Sequence, residues 1–211
     1  MALLTLIDLR SRDTLFILGD SIDRGPGSKE ILDVLLRLTG NGYDIRVLRG
    51  NHEDMVLRCV SGHHDEYSQA WLGWWGEATL RSFGVTIPSE IPEEYLRFIG
   101  SMPLYAESDG FVLVHASLLS GKDPVAMTPP RTMLWGDRWL GKEGLPCGRC
   151  LVSGHRVVTQ STMKETLTSR HLLIDNGCFG GRGPEKGNLV ALNLDTLEVT
   201  LQPLLDSVIP C

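Results

Sequence analysis

Four points along the chain carry side chains able to bind a divalent metal ion. They are Asp20 in Gly19-Asp20, Asn51 and His52 after Gly50, His115 after Val112-Leu113-Val114, and His155 in Gly154-His155. A carboxylate, an amide oxygen and imidazoles suit a borderline ion such as Mn, Fe or Zn better than a calcium cage, which is built from oxygens alone. Each fragment is weak by itself. Gly-Asp after a strand is more often a plain turn, and a single strand-end histidine is more often a polar rim residue. Four such ends in one chain are harder to dismiss, because ligands of open α/β sheets bind outside the carboxyl ends of the strands.

The pattern around these points supplies the strands. Residues 14–18 are a short apolar run ending at Gly19, as in a buried parallel strand. Residues 28–38 carry Ile31, Leu32, Val34, Leu35 and Leu38 at helical spacing, with Ser28 as the expected N-cap and Gly40 as the stop. Residues 45–48 form a second strand ending near Gly50, which completes a right-handed β-α-β unit. Residues 3–9 read as an amphipathic helix cut off at its front. A tryptophan-bearing helical region over 67–83 closes at Gly84, and a helix is expected over 92–99. Further strands are expected at 111–114, 151–153, 172–174 and 189–194, the last pairing with 199–201 through a turn at Asp195-Thr196. Helices alternating with strands early, and strands dominating late, predict an α/β fold with two mixed β-sheets flanked by helices. The expectation is one domain over residues 1–211, with a helical insert at about 60–100.

Composition excludes some classes. The 211 residues have a net charge of −6, which disfavours a general nucleic-acid binder that needs a basic face. A small anionic substrate stays compatible, since arginines and a metal make a site locally positive on an acidic protein. No run approaches the ~18 apolar residues of a membrane span. Asp8 falls where a signal peptide would be apolar, so no secretory leader is expected. Five irregularly spaced cysteines form no disulfide framework and fit a reducing cytoplasm.

The motifs GDSIDRG (19–25) and GNHE (50–53), one crossover apart, resemble the second and third signature blocks of the calcineurin-like metallophosphoesterases. The form is that of the bacterial serine/threonine protein phosphatases and diadenosine tetraphosphatases. VHAS (114–117) and SGHRVV (153–158) are similar to the fourth and fifth blocks. WGEATLRSFG, LRFIGSMPLY, MLWGDRW and LLIDNGCFGG also look like segments of bacterial members. The resemblance implies a calcineurin-like α/β sandwich. It implies hydrolysis of phosphomonoesters, including phosphoproteins, or of dinucleoside polyphosphates by a metal-held hydroxide attacking phosphorus in line. Asp20 would bridge two ions, and Asn51, His115 and His155 would complete one of them, with Mn first and Fe or Zn as alternatives. His52 would protonate the leaving oxygen, oriented by Asp23 or Glu53. Arg24 and Asn51 would hold phosphate oxygens. No membrane partner and no general nucleic-acid partner are implied.

Two departures stand out. The family begins with an Asp-x-His-Gly block on its first strand, and none precedes GDSIDRG here, since Asp8 is followed by Leu-Arg. The first strand is therefore expected to be missing, about one ion is expected to bind tightly, and turnover of this chain is expected to be impaired. The rival reading is a non-catalytic phosphate-binding or regulatory module. A nuclease fits less well with the acidic balance. At WGDR, the family's phosphate-binding arginine maps to Arg138, with Arg131 as the alternative.

Other candidates have plainer explanations. Cys147 and Cys150 could be half a zinc site or a redox pair, but without a second pair a loop is the default. His63-His64 reads as solvated, and His171 as structural. Trp71, Trp74 and Trp75 suit core packing better than a substrate platform, and residues 182–186 suit a loop.

Overall fold

A computed structural model describes residues 1–121, 123–141, 144–180 and 183–205. The chain divides into two compact units. One is Ser11–Pro103; the other, discontinuous in sequence, joins Met1–Arg10 to the residues from Leu104 onward. Helix α1 (Ala2–Leu6) belongs to the discontinuous unit. It is shorter than its apolar pattern suggested. Asp8 adopts φ +50° and binds the Arg10 guanidinium, which turns the chain away from the helical path.

The continuous unit starts with β1 (Thr14–Ile17), α2 (Ser28–Gly40) and β2 (Asp44–Val47). The strands pair in parallel with Ile17 opposite Val47, as the β-α-β reading requires. Helix α2 is capped by Gly27, not by Ser28, because the Ser28 hydroxyl is committed to the preceding loop. Helix α3 (Asn51–Val60) follows. Helix α4 (Glu66–Ala70) leads through a π-helical turn, Trp71–Trp75, into α5 (Glu77–Phe83). Gly84 ends α5 at φ +68°, a left-handed conformation that glycine adopts without strain. Helix α6 (Glu93–Ser101) begins after Pro92. Leu32, Leu48, Met55, Val56 and Ile99 lie fully buried between these elements, and each contributes ~1.5–3 kcal/mol over its exposed state.

The discontinuous unit contains β3 (Tyr105–Ser108), β4 (Phe111–Val114), α7 (Pro124–Met127), α8 (Pro130–Trp135), β5 (Cys150–Ser153), α9 (Gln160–Thr166), β6 (His171–Leu173), β7 (Asn188–Leu192) and β8 (Val199–Pro203). Strands β3 to β6 form one mixed sheet in sequence order, antiparallel at β3–β4 and parallel thereafter. Strand β3 had no apolar signature because it is an edge strand, alternately exposed and half-buried. Its available signal was the Asp109-Gly110 hairpin. Strands β7 and β8 pair antiparallel, as expected. Three sheets are present among the described residues, and the mixed character resides in the four-stranded one. Val112, Val114, Leu118, Met133 and Leu151 form its core on one side, and Val158, Met163 and Leu173 form a second cluster. Among the described residues no helix is long and apolar enough to cross a membrane.

Candidate functional site

In the continuous unit, the parallel register delivers Gly19-Asp20 and Gly50-Asn51 side by side past the ends of β1 and β2. The Leu48 N–H donates to the Ile17 carbonyl (2.8 Å), so pairing continues one step beyond the strands. The approach is so close that a Cβ on Gly19 would lie 2.4 Å from the Gly50 nitrogen, and one on Gly50 would lie 2.3 Å from Asp20 Oδ1. Both positions require glycine. The loop beyond holds three non-glycine residues at positive φ: Asp20 (54°), Asp23 (71°) and Arg24 (62°). Such conformations cost on the order of 1–3 kcal/mol each and persist only when the surroundings impose them.

Glu53 holds the first of them, Asp20, and Ser28 and Thr79 hold the backbone of Asp23. The Glu53 carboxylate is fully buried and accepts the N–H groups of Asp20 (2.9 Å), Ser21 (2.6 Å) and Gly50 (2.9 Å). It sits in the first turn of α3, where the helix dipole favours negative charge. Asp20 uses the same end of the helix, with Oδ1 accepting the His52 N–H at 3.3 Å.

Asp23 is the second buried carboxylate. Oδ2 accepts His52 Nδ1–H (2.6 Å) and Trp71 Nε1–H (2.8 Å), while Oδ1 accepts the Thr79 hydroxyl (2.5 Å). Ser28 and Thr79 hydroxyls in turn receive the Asp23 N–H (3.0 and 2.9 Å). The imidazole of His52 is thereby fixed with Nδ1 as the donor, which leaves Nε2 facing Arg24 Nη2 at 3.1 Å. Burial, the largest single influence, pushes the His52 pKa down. The hydrogen bond to Asp23 and the charges of Asp20 and Asp23 outweigh it, and the net direction is upward from 6.5. Sequence left the partner of His52 open between Asp23 and Glu53, and the geometry separates them: Asp23 holds the imidazole and Glu53 holds the backbone.

In the discontinuous unit, parallel pairing of Val114 with Ser153 sets His115 and His155 just past the ends of β4 and β5. The Gly154 N–H donates to the His115 carbonyl at 2.9 Å. His155, at φ +61°, turns its ring back so that Nδ1 lies 3.1 Å from His115 Nε2. Trp135 meets the His155 ring edge-on at 6.1 Å. Two nitrogens bound to one ion at ~2.0–2.1 Å stand roughly 3 Å apart, so this pair has the separation of two metal ligands. Behind it, buried His171 accepts the Leu140 N–H at Nδ1 (3.0 Å) and meets the Ser153 hydroxyl at Nε2 (2.8 Å). That makes it structural, as expected.

The structure thus groups Asp20, Asp23, Arg24, Asn51 and His52 in one unit, and His115 with His155 in the other. Arg138 is exposed and meets Ser117 through its carbonyl (2.7 Å). Arg182 and the Cys147 side chain lie outside the described residues. Trp71 is buried on Asp23, Trp75 is half-buried 5.6 Å from the His52 ring, and Trp74 is exposed. Sequence reasoning missed Trp71, Thr79 and Ser28 as partners of Asp23.

A family model described as calcineurin-like phosphoesterase matches residues 2–178. Curated relatives include the symmetrical bis(5'-nucleosyl)-tetraphosphatase of Vibrio cholerae serotype O1, 34% identical over 106 residues, or 50% of this chain and 34% of that protein. The Nitrosomonas europaea protein of the same description is 28% identical over 148 residues, or 64% of this chain and 48% of that one. The chain spans about a third to a half of the length of these relatives. Among solved structures, a metallophosphoesterase from Sphaerobacter thermophilus aligns with a TM-score of 0.52 and 17% identity over 95% of this chain and 81% of that one. A hypothetical protein from Pyrococcus horikoshii OT3 aligns at 0.58 and 15% over 96% and 81%. These last two likenesses concern the fold. With the family model running through both histidine-bearing strand ends and both glycine-led loops, the chain belongs to the calcineurin-like phosphoesterases.

Proposed function

We propose that this protein hydrolyses phosphoric ester or anhydride bonds with the help of a divalent metal, and that dinucleoside polyphosphates are its substrates. The substrate class rests on the tetraphosphatase relatives; phosphomonoesters and phosphoproteins are the alternatives within the family. The observation that carries the reading is the Asp23–His52–Arg24 array, in which a buried carboxylate and imidazole meet an exposed guanidinium, with Nδ1 locked at 2.6 Å on Asp23 and Nε2 directed toward Arg24.

In this reading His52 is the proton donor. Asp23, bonded at Nδ1, keeps Nε2 aimed at the leaving oxygen, and its charge favours the protonated imidazole. Arg24 neutralises a phosphate oxygen beside it with charge-assisted donors. Asp20, Asn51, His115 and His155 are assigned to the metal, with Mn first and Fe or Zn as alternatives. Bound there, the ion supplies positive charge against the phosphoryl oxygens and acidifies water. Arg138 is assigned to phosphate, and a cytoplasmic setting belongs to the same proposal.

The test is hydrolysis of bis(5'-adenosyl) tetraphosphate and p-nitrophenyl phosphate by the Mn-loaded protein, compared with His52→Asn and His115→Ala. His52→Asn is expected to lower kcat by ~10²–10⁴-fold with metal content intact, and His115→Ala to lose metal. Absence of metal-dependent hydrolysis, or a neutral His52→Asn, overturns the proposal.

A further inference from the structure

The π-helical turn Trp71–Trp75 sends its side chains in unlike directions. Trp71 is fully buried on Asp23, whereas Trp74 is 81% exposed and Leu72 58% exposed. Gly73 between them would meet nothing within 4 Å if it bore a Cβ. The outer face of the turn is open. A π-turn is rare, and it occurs frequently at functional sites. Leaving an indole in water forgoes the burial of one of the largest apolar side chains.

The position of this face gives the exposure a meaning. Contacts run from Arg24 to His52 (3.1 Å) and from His52 to the Trp75 ring (5.6 Å), and Trp74 immediately precedes Trp75 in the chain. Cation, imidazole and indole thus follow one another within a single unit, and the next indole in the sequence is the exposed Trp74. A nucleotide presents the matching sequence of phosphate, sugar and flat base. We infer that Trp74, beside Trp75 in the chain, is the stacking platform for a nucleobase of the substrate, with the adjoining phosphate at Arg24 and His52. Indole stacking accepts any base, because every base has a π-face, and it is worth roughly 5- to 150-fold in affinity. The platform therefore gives preference for nucleotides over other phosphoesters without selecting the base. This inference rests on the dinucleoside polyphosphate reading and assigns its base-binding residue.

Trp74 is exposed enough to be replaced without disturbing a core. The experiment is calorimetric titration of the Mn-loaded protein with AMP and with ribose 5-phosphate, which share a phosphate and sugar and differ by the base. The unaltered chain is expected to bind AMP about tenfold or more tighter than ribose 5-phosphate. In Trp74→Ala that ratio is expected to fall to about one, and Trp74→Phe to retain most of it. Equal affinity for the two ligands in the unaltered chain overturns the inference while leaving the phosphoesterase reading intact. So does a preference for AMP that survives Trp74→Ala. An AMP preference lost in Trp74→Ala, in a protein that hydrolyses nothing, sustains the platform and overturns the catalytic reading. Should Trp74→Ala and Leu72→Ala instead abolish self-association and leave the ratio alone, the face is a protein-docking surface and the inference fails.

Discussion

Replacing Glu53 by glutamine keeps its size and shape and changes one oxygen into an NH2 group. The three backbone N–H groups of Asp20, Ser21 and Gly50 divide between the carboxylate oxygens, two on Oε2 and one on Oε1. A glutamine with its carbonyl in the Oε2 position keeps the two bonds to Asp20 and Gly50 in weaker, neutral form. It sets its amino group against the Ser21 N–H, so donor faces donor in a buried site. A hydrogen bond to a charged acceptor contributes ~1.5–3 kcal/mol and an orphaned buried N–H costs ~1–3 kcal/mol, so Glu53→Gln is expected to lose roughly 3–5 kcal/mol. The measurement is equilibrium urea unfolding, read as a shift in midpoint at constant slope. A second readout follows from position. Asp20 is held at φ 54° by this clamp, so Mn affinity, measured by calorimetry, is expected to weaken in the same variant at temperatures where it remains folded. A stability loss below ~1 kcal/mol would refute the clamp, because a loss that small is what an exposed, water-satisfied carboxylate gives.

Three further outcomes follow from other contacts. Trp71→Phe keeps an aromatic ring but a smaller one, and deletes the N–H bonded to Asp23, so stability should fall by at least ~1.5–3 kcal/mol and hydrolysis of substrates with poor leaving groups should suffer most; equal losses across leaving groups would contradict the role of Asp23. Burial, aided by the charge of Arg156, lowers the His171 pKa from 6.5 to about 4, so its contribution is complete above pH 6.5 and is lost as pH falls toward 4, by roughly 3 kcal/mol. Urea midpoints between pH 7.5 and 4.5 should show that slope, and His171→Asn should flatten it. Gly19→Ala, at φ +91° and against Gly50 backbone, should exceed the ~0.5–3 kcal/mol of ordinary point changes, whereas Gly100→Ala, open on its helix, should be neutral or stabilising by up to ~1 kcal/mol; similar thermal shifts for both would show the Gly19–Gly50 approach to be relaxed.

Much of the positioning frame could be read from the amino-acid order, for a physical reason. Short apolar runs ending at glycine become parallel strands, and ligands follow their carboxyl ends, so Asp20, His115 and His155 were visible as strand-end residues. Helix starts were less legible. Ser28 had the right type for an N-cap, but its hydroxyl bonds the Asp23 N–H and the Thr79 hydroxyl, a competition invisible to local pattern. Trp71 and Thr79 reach Asp23 from 48 and 56 residues away, and no spacing rule encodes such a pairing. Edge strand β3 lacked an apolar face to announce it.

The two units are completed at different times as the chain leaves the ribosome. Ser11–Pro103 emerges as an unbroken segment and can collapse as soon as it is made. Helix α1 buries no residue within itself, and it packs against β8. At ~5–20 residues per second it waits on the order of 10–40 s for that strand to be synthesised. Through this interval its leucines have no native neighbour from β8, so the nascent chain carries an apolar segment that chaperones can recognise. Closure of the discontinuous unit is therefore a late event, coming after the continuous unit is already made.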